Sequence, residues 1–219
     1  MKIFYWSPFF TKIATISAVI KSADSLISYE NKEFNKDVAL IDSIGEWDEY
    51  RDDINNQIRI IKLNKKNYVN LIPKNSFIKS RVSYWFIFFI NFFKLTRLIN
   101  KEKPDFLLIH LITSLPIFLS IFFNKKTKII LRISGLPKLN MLRYLLWRVF
   151  SNNIYKVTCP TESTYKHILS LKIFDNNKVF ILRDPVINMK EYVKKKREKV
   201  FDKNFLNKKY LISAGRLTK

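Results

Sequence analysis

Glycine, histidine and cysteine are nearly absent from this chain. Three glycines in 219 residues leave little room for loops that cradle phosphate on bare backbone. There is no Walker sequence and no glycine-rich dinucleotide fingerprint, and the first apolar run leads into SPFFTKIAT, which has no glycine. The one cysteine, Cys159, excludes an internal disulfide. Set in YKVTCP, it reads as a small core residue of a strand, and a reducing cytosol suits it. One cysteine and two distant histidines offer no metal-ligand spacing. Acid is scarce as well: 18 Asp and Glu stand against 40 Lys and Arg, a formal charge of +22. Such a balance attracts polyanions (nucleic acid, anionic lipid, phosphorylated ligands) without choosing among them. The N-terminal MKIFYWSPFF lacks a long apolar core and a small-residue cleavage site, so no signal peptide is expected.

What is present is enough to build a core. With 47% hydrophobic and 15% aromatic residues, the composition excludes a disordered chain. Short apolar runs read as strands at 2–6, 36–42, 57–63, 106–111, 127–133, 155–160 and 178–182. Helix-period stretches separate most of them. Ile13, Ile16, Ile20, Ala23 and Ile27 fall on one helix face, and further helices are expected at 79–101, 114–123, 139–151 and 161–171. Strands alternating with helices predict an α/β fold, a doubly wound and mostly parallel sheet covered on both faces. Residues 184–207 break the pattern with a basic run, and 208–215 begin a new strand.

Two segments raise the question of a membrane. Residues 106–123 carry no charge over 18 positions, the threshold length for a span. A strand followed by a cap at Thr113 or Ser114 and a helix with Pro116 near its start explains the same letters. In 79–102, Lys79, Ser83, Lys94, Arg97 and Lys101 fall on one side at helical pitch, while Tyr84 to Ile90 is apolar all round. That helix suits either burial against the sheet or a bilayer interface. In the second case Lys79, Arg81, Trp85, Lys94 and Arg97 would touch lipid.

In parallel α/β sheets, ligands gather beyond the carboxyl ends of the strands. The loops this singles out are 7–15, 110–114, 134–138, 160–164, 183–185 and 214–219. His110 could donate to a hydroxyl or phosphate, or be a satisfied core histidine. Ser134-Gly135 could bring a hydroxyl and a flexible backbone to a ligand, or make a turn. His167 has no evident partner and reads as structural.

The order of several stretches resembles the family 4 glycosyltransferases of the GT-B fold. They are MKIFYWSPFF, KPDFLLIHL, KIILRISGLPKL, KVTCPTESTYKHIL, NKVFILRDPVI and YLISAGRLTK. The resemblance spans the chain and implies a Rossmann-like acceptor domain over 1–185, a basic linker over 186–207 and the start of a donor-binding domain at 208–219. It implies a retaining transferase that uses a nucleotide-diphosphate sugar, needs no cofactor or essential metal, and builds cell-surface polysaccharide or a lipid-linked glycan. Such an enzyme would sit in the cytoplasm at the inner face of the cell membrane, with an anionic membrane surface as a partner and no nucleic acid. His110 and Ser134 would be catalytic; Arg216, Ala14 and Thr15 would face the donor; Ser7, Lys12, Gly135 and Glu162 would face the acceptor. Arg216 would grip the donor diphosphate, for which a guanidinium fork is suited. The sequence departs from the family in three places. Ala14 stands near the usual glycine of the first loop, and Ser134 stands where many members have histidine. The family's glutamate pair has no counterpart. A truncated chain that is an inactive remnant or a membrane-docking partner is the alternative expectation.

Overall fold

The computed structural model describes residues 1–28, 35–73, 77–137, 139–185 and 189–198. Seven strands form one parallel sheet: β1 (Lys2–Trp6), β2 (Asp37–Asp42), β3 (Arg59–Lys62), β4 (Phe106–Ile109), β5 (Lys128–Arg132), β6 (Ile154–Cys159) and β7 (Val179–Ile181), in the order β3-β2-β1-β4-β5-β6-β7. Each strand matches an apolar run read from the sequence. Parallel neighbours need crossovers, supplied by α1 (Ala14–Ser28), α2 (Phe77–Glu102), α3 (Ser114–Leu119), α4 (Met141–Phe150) and α5 (Glu162–Ser170). A short 3-10 helix, Asp48–Asp53, lies between β2 and β3. The strand order reverses between β1 and β4, which pair side by side from Ile3↔Phe106 to Trp6↔Ile109.

Strand alternation divides the core into two layers. Ile3, Tyr5, Val38 and Leu40 pack with α1 through Ile16, Val19, Ile20 and Ala23. Phe4, Trp6, Leu107, Ile109 and Leu131 face the other way, toward α2, α3, α4 and α5. Local signals start the helices. Asn140 caps α4 by accepting from the Arg143 amide at 2.9 Å, and Thr161 caps α5 by accepting from the Thr164 amide at 3.2 Å. The uncharged run 106–123 is β4 followed by α3; Thr113 holds the cap position there without a side-chain cap bond.

The polar stripe expected on α2 is corrected at Ser83. That side chain is buried and donates to the Pro73 carbonyl at 2.9 Å. Ser83, Ile87, Asn91, Leu95 and Ile99 recur every four residues and form the buried face. Asn91 is kept satisfied there, accepting from Asn64 at 2.9 Å and donating to the Ile87 carbonyl at 3.0 Å. The side chain of Lys79 lies outside the described residues.

Residues Met1–Val186 form one compact unit and Ile187–Lys219 a second. The described part of the second is α6 (Met189–Arg197), whose last turn carries Lys194 to Arg197, the sign that suits a helix C-terminus. The predicted strand at 208–215 and Arg216 lie outside the described residues.

Ile99 is fully buried in the layer beneath α2. Ile99→Ala is expected to destabilise the domain by about 2–5 kcal/mol through lost transfer energy and a residual cavity. Urea denaturation should show a lower midpoint with an unchanged slope.

Candidate functional site

Because all seven strands run the same way, their carboxyl ends gather on one edge, and the loops there build a cleft. Phe9 to Lys12 come from the loop after β1. Gly45, Glu46, Glu49 and Tyr50 follow β2, and Asn67, Val69 and Asn70 follow β3. The cleft holds about 300 Å³. Its wall combines aromatic surface with carboxylates, amides, the hydroxyls of Thr11 and Tyr50 and the Lys12 ammonium, a mixture suited to a ligand with many hydroxyls. Lys12 and Glu49 approach to 3.9 Å at its exposed rim.

The floor of the cleft is a tight loop with two buried acids. Asp42, the last residue of β2, accepts from the Gly45 amide at 2.6 Å. Glu46 accepts from the Ser43 amide and hydroxyl at 3.0 and 2.9 Å and from the Ile44 amide at 2.7 Å. Burial, and next the Asp42 carboxylate beside it, push Glu46 well above its ordinary value despite these amide donors. Gly45 turns the loop with φ +93°, and a Cβ there would stand 2.5 Å from Asn67 Cγ. Asn67 in turn donates at 3.0 Å to both the Gly45 carbonyl and Asp48, which ties the loop after β3 to the loop after β2.

A second polar cluster lies at the reversal point. Ser7 follows β1 and His110 follows β4; the His110 amide donates to the Trp6 carbonyl at 2.9 Å. Both side chains are buried, and among the described residues neither Ser7 Oγ nor His110 Nε2 has a hydrogen-bond partner. Burial, and then the Arg132 charge, hold His110 down to about 3. The imidazole is therefore neutral at physiological pH, and it packs against Tyr5 with ring centres 5.8 Å apart. Arg132 is buried at the end of β5 and binds the Leu182 carbonyl and the Asp184 carboxylate, joining the ends of β5 and β7. Two residues past His110, Ile112 has φ 46°, a strained conformation for a β-branched side chain; its carbonyl accepts from the Trp6 indole at 3.2 Å.

The expected site residues separate into groups. Lys12 lines the cleft, while Ala14 and Thr15 open α1 just beyond it. Ser7 and His110 are buried just past the ends of the neighbouring strands β1 and β4. Ser134 and Gly135 are exposed after β5, and among the described residues a Cβ at Gly135 would meet nothing within 4 Å. Glu162 is exposed in the first turn of α5 and pairs with Lys166 at 2.9 Å. Cys159 is buried, and burial pushes its thiol up to about 11, which makes it unreactive. Asp42, Gly45, Glu46, Asn67 and Arg132 were not singled out from the sequence. The strand-end rule would have reached the first four, had it been extended to the loops after β2 and β3.

No protein-family model matches the chain, and no curated protein does. Solved structures match its fold. A glycosyltransferase from Rickettsia africae ESF-5 is 14% identical, with a TM-score of 0.55 over 89% of this chain and 48% of that one. UDP-GlcNAc 2-epimerase from Neisseria meningitidis bound to UDP-GlcNAc is 18% identical, with a TM-score of 0.51 over 90% of this chain and 50% of that one. Apo UGT2 from Phytolacca americana is 9% identical, with a TM-score of 0.53 over 90% and 54%. The fold is thus of the GT-B glycosyltransferase-like type. The chain spans about half the length of these structures.

Two outcomes are expected at the β2 loop. Gly45→Ala should cost about 1–3 kcal/mol, since it meets both an unfavourable φ and the Asn67 side chain; thermal melts check this. Above the ordinary carboxylate value of 4.5, the folded state keeps a proton on Glu46 that the unfolded chain has released. That group's contribution to stability therefore declines as pH rises from there toward its raised folded range. Asp42→Asn removes the neighbouring charge, so the decline in melting temperature between about pH 5 and pH 8 should become shallower than in the parent.

Proposed function

We propose that this domain is the acceptor-side half of a nucleotide-sugar-dependent glycosyltransferase of the retaining kind. It would act in the synthesis of cell-surface polysaccharide or a lipid-linked glycan. The observation that carries the reading is the fold match over about nine-tenths of this chain to a glycosyltransferase and to a UDP-GlcNAc 2-epimerase solved with UDP-GlcNAc bound. The cleft at the ends of β1, β2 and β3 supports it. The half-buried ring of Phe10 suits the apolar face of a sugar ring, and Tyr50, Asn67, Asn70 and Glu49 offer hydrogen bonds to hydroxyls.

In this reading the acceptor glycan lies in the cleft, with Lys12 at its rim. Neutral His110 cannot supply a positive charge near pH 7, so its role is to exchange hydrogen bonds. Charge on the departing diphosphate would be met by helix N-termini such as that of α1, where Ala14 and Thr15 lie. No metal is required by this scheme.

Calorimetric titration with short oligosaccharides, run beside a panel of nucleotide sugars, tests the proposal. At least one oligosaccharide is expected to bind, and Tyr50→Ala should weaken it by about tenfold, the scale of one lost buried contact. Absence of binding by every oligosaccharide, or binding indifferent to Tyr50, would remove the acceptor assignment.

A further inference from the structure

The helical layer over β4, β5 and β6 leaves much of its apolar surface uncovered. On α2 the residues opposite the buried stripe are Trp85, Phe89 and Phe93, spaced by four and exposed by 59%, 67% and 77%. On α4 the outer stripe includes Leu142 and Val149, exposed by 76% and 68%. The two helices share one side of the sheet, with α3 between them. Phe118 of α3 touches Phe88 and Phe92 of α2 at 6.0 and 6.1 Å between ring centres, and Phe150 of α4 at 5.9 Å. Monomeric soluble proteins seldom expose so much apolar surface without a partner for it.

Charge identifies the partner. No Asp or Glu occurs between Asp53 and Glu102, or between Asp105 and Glu162. The body of α2, all of α3 and all of α4 therefore lack acid, while Lys94, Arg97, Arg143 and Arg148 are exposed on the same helices. A second copy of the chain would bring +22 against +22, so self-association is opposed by charge. A surface that is both apolar and cationic matches an anionic bilayer, whose headgroups meet the cations while the rings enter the acyl boundary. We propose that α2 and α4 together form a docking surface for an anionic phospholipid membrane.

The geometry makes this an interfacial contact and not a span. Although Arg81–Glu102 is long and apolar enough to cross a bilayer by length and composition, its inner stripe is held on the sheet. Asn91 is hydrogen-bonded to Asn64, whose amide also donates to the Ser43 carbonyl at 2.7 Å. A helix pinned along its length lies flat, and 26 residues give a strip of about 39 Å. The inference does not rest on the transferase reading.

Vesicle flotation tests it, comparing phosphatidylcholine vesicles with vesicles containing about one-third phosphatidylglycerol. Binding is expected to the anionic vesicles and to weaken with salt. Of the four tryptophans, Trp6, Trp47 and Trp147 are buried, so quenching by brominated lipid would report Trp85. The pair Phe89→Ser with Phe93→Ser, and separately the pair Arg143→Glu with Arg148→Glu, should each reduce partitioning by at least about tenfold. Lys21→Glu on α1 should leave it nearly unchanged. Circular dichroism and melting temperature establish that the variants fold. The proposal is overturned if the parent ignores anionic vesicles, or if folded variants of either pair bind like the parent. Light scattering that shows a dimer which the Phe89/Phe93 pair dissolves would assign the face to a second copy and overturn it equally.

Discussion

The pairing of β1 with β2 on one side and β4 on the other is the constraint on which the rest of the structure depends. Both pairings are parallel, so every strand ends on the same edge, and every return path must cross a face of the sheet as a helix or long loop. The reversal of strand order at β1 and β4 parts the loops at that edge. The cleft and the His110 cluster follow from this arrangement, since residues far apart in sequence (Ser7, Glu46, Asn67, His110) share only the property of following a strand.

That edge is also where the fold accepts unfavourable local choices. Two acids lie buried side by side after β2, an arginine is buried at the end of β5, and Ile112 takes a left-handed backbone conformation. Each is held by partners from another strand or its own loop: Glu46 by two backbone amides, Arg132 by Leu182 and Asp184, Ile112 by the Trp6 indole. Elsewhere the interior is almost wholly apolar. Concentrating polar burial at one edge suits a site that must keep its groups oriented before a ligand arrives.

The outer surface is equally uneven. Acidic residues sit on the α1 side, around the Asp48–Asp53 turn, at the end of α2 and from α5 onward; the charged groups on the intervening helices are all cations. On α2 the periodicity alone could not separate the buried side from the exposed one, because both are apolar over Tyr84 to Ile90. Packing decided it, and it chose the face carrying Ser83 and Asn91 for burial. Asn64 and the Pro73 carbonyl were within hydrogen-bond reach on that side, and burying a polar group costs little once it is paired.

By itself the sequence determined the elements and their layering. Seven apolar runs and their alternation with helix-period stretches are local properties, and local sterics and hydrogen bonds suffice to express them. The loops at strand ends were legible for Lys12, His110 and Ser134 because a polar residue after an apolar run is visible in one dimension. The tertiary structure alone decided that Glu46 is buried beside Asp42 and held well above its ordinary value, that burial, helped by Arg132, keeps His110 neutral, and that the aromatic face of α2 points outward. Those outcomes depend on dielectric environment and on contacts between residues dozens of positions apart, and neither is a property of any single stretch of chain.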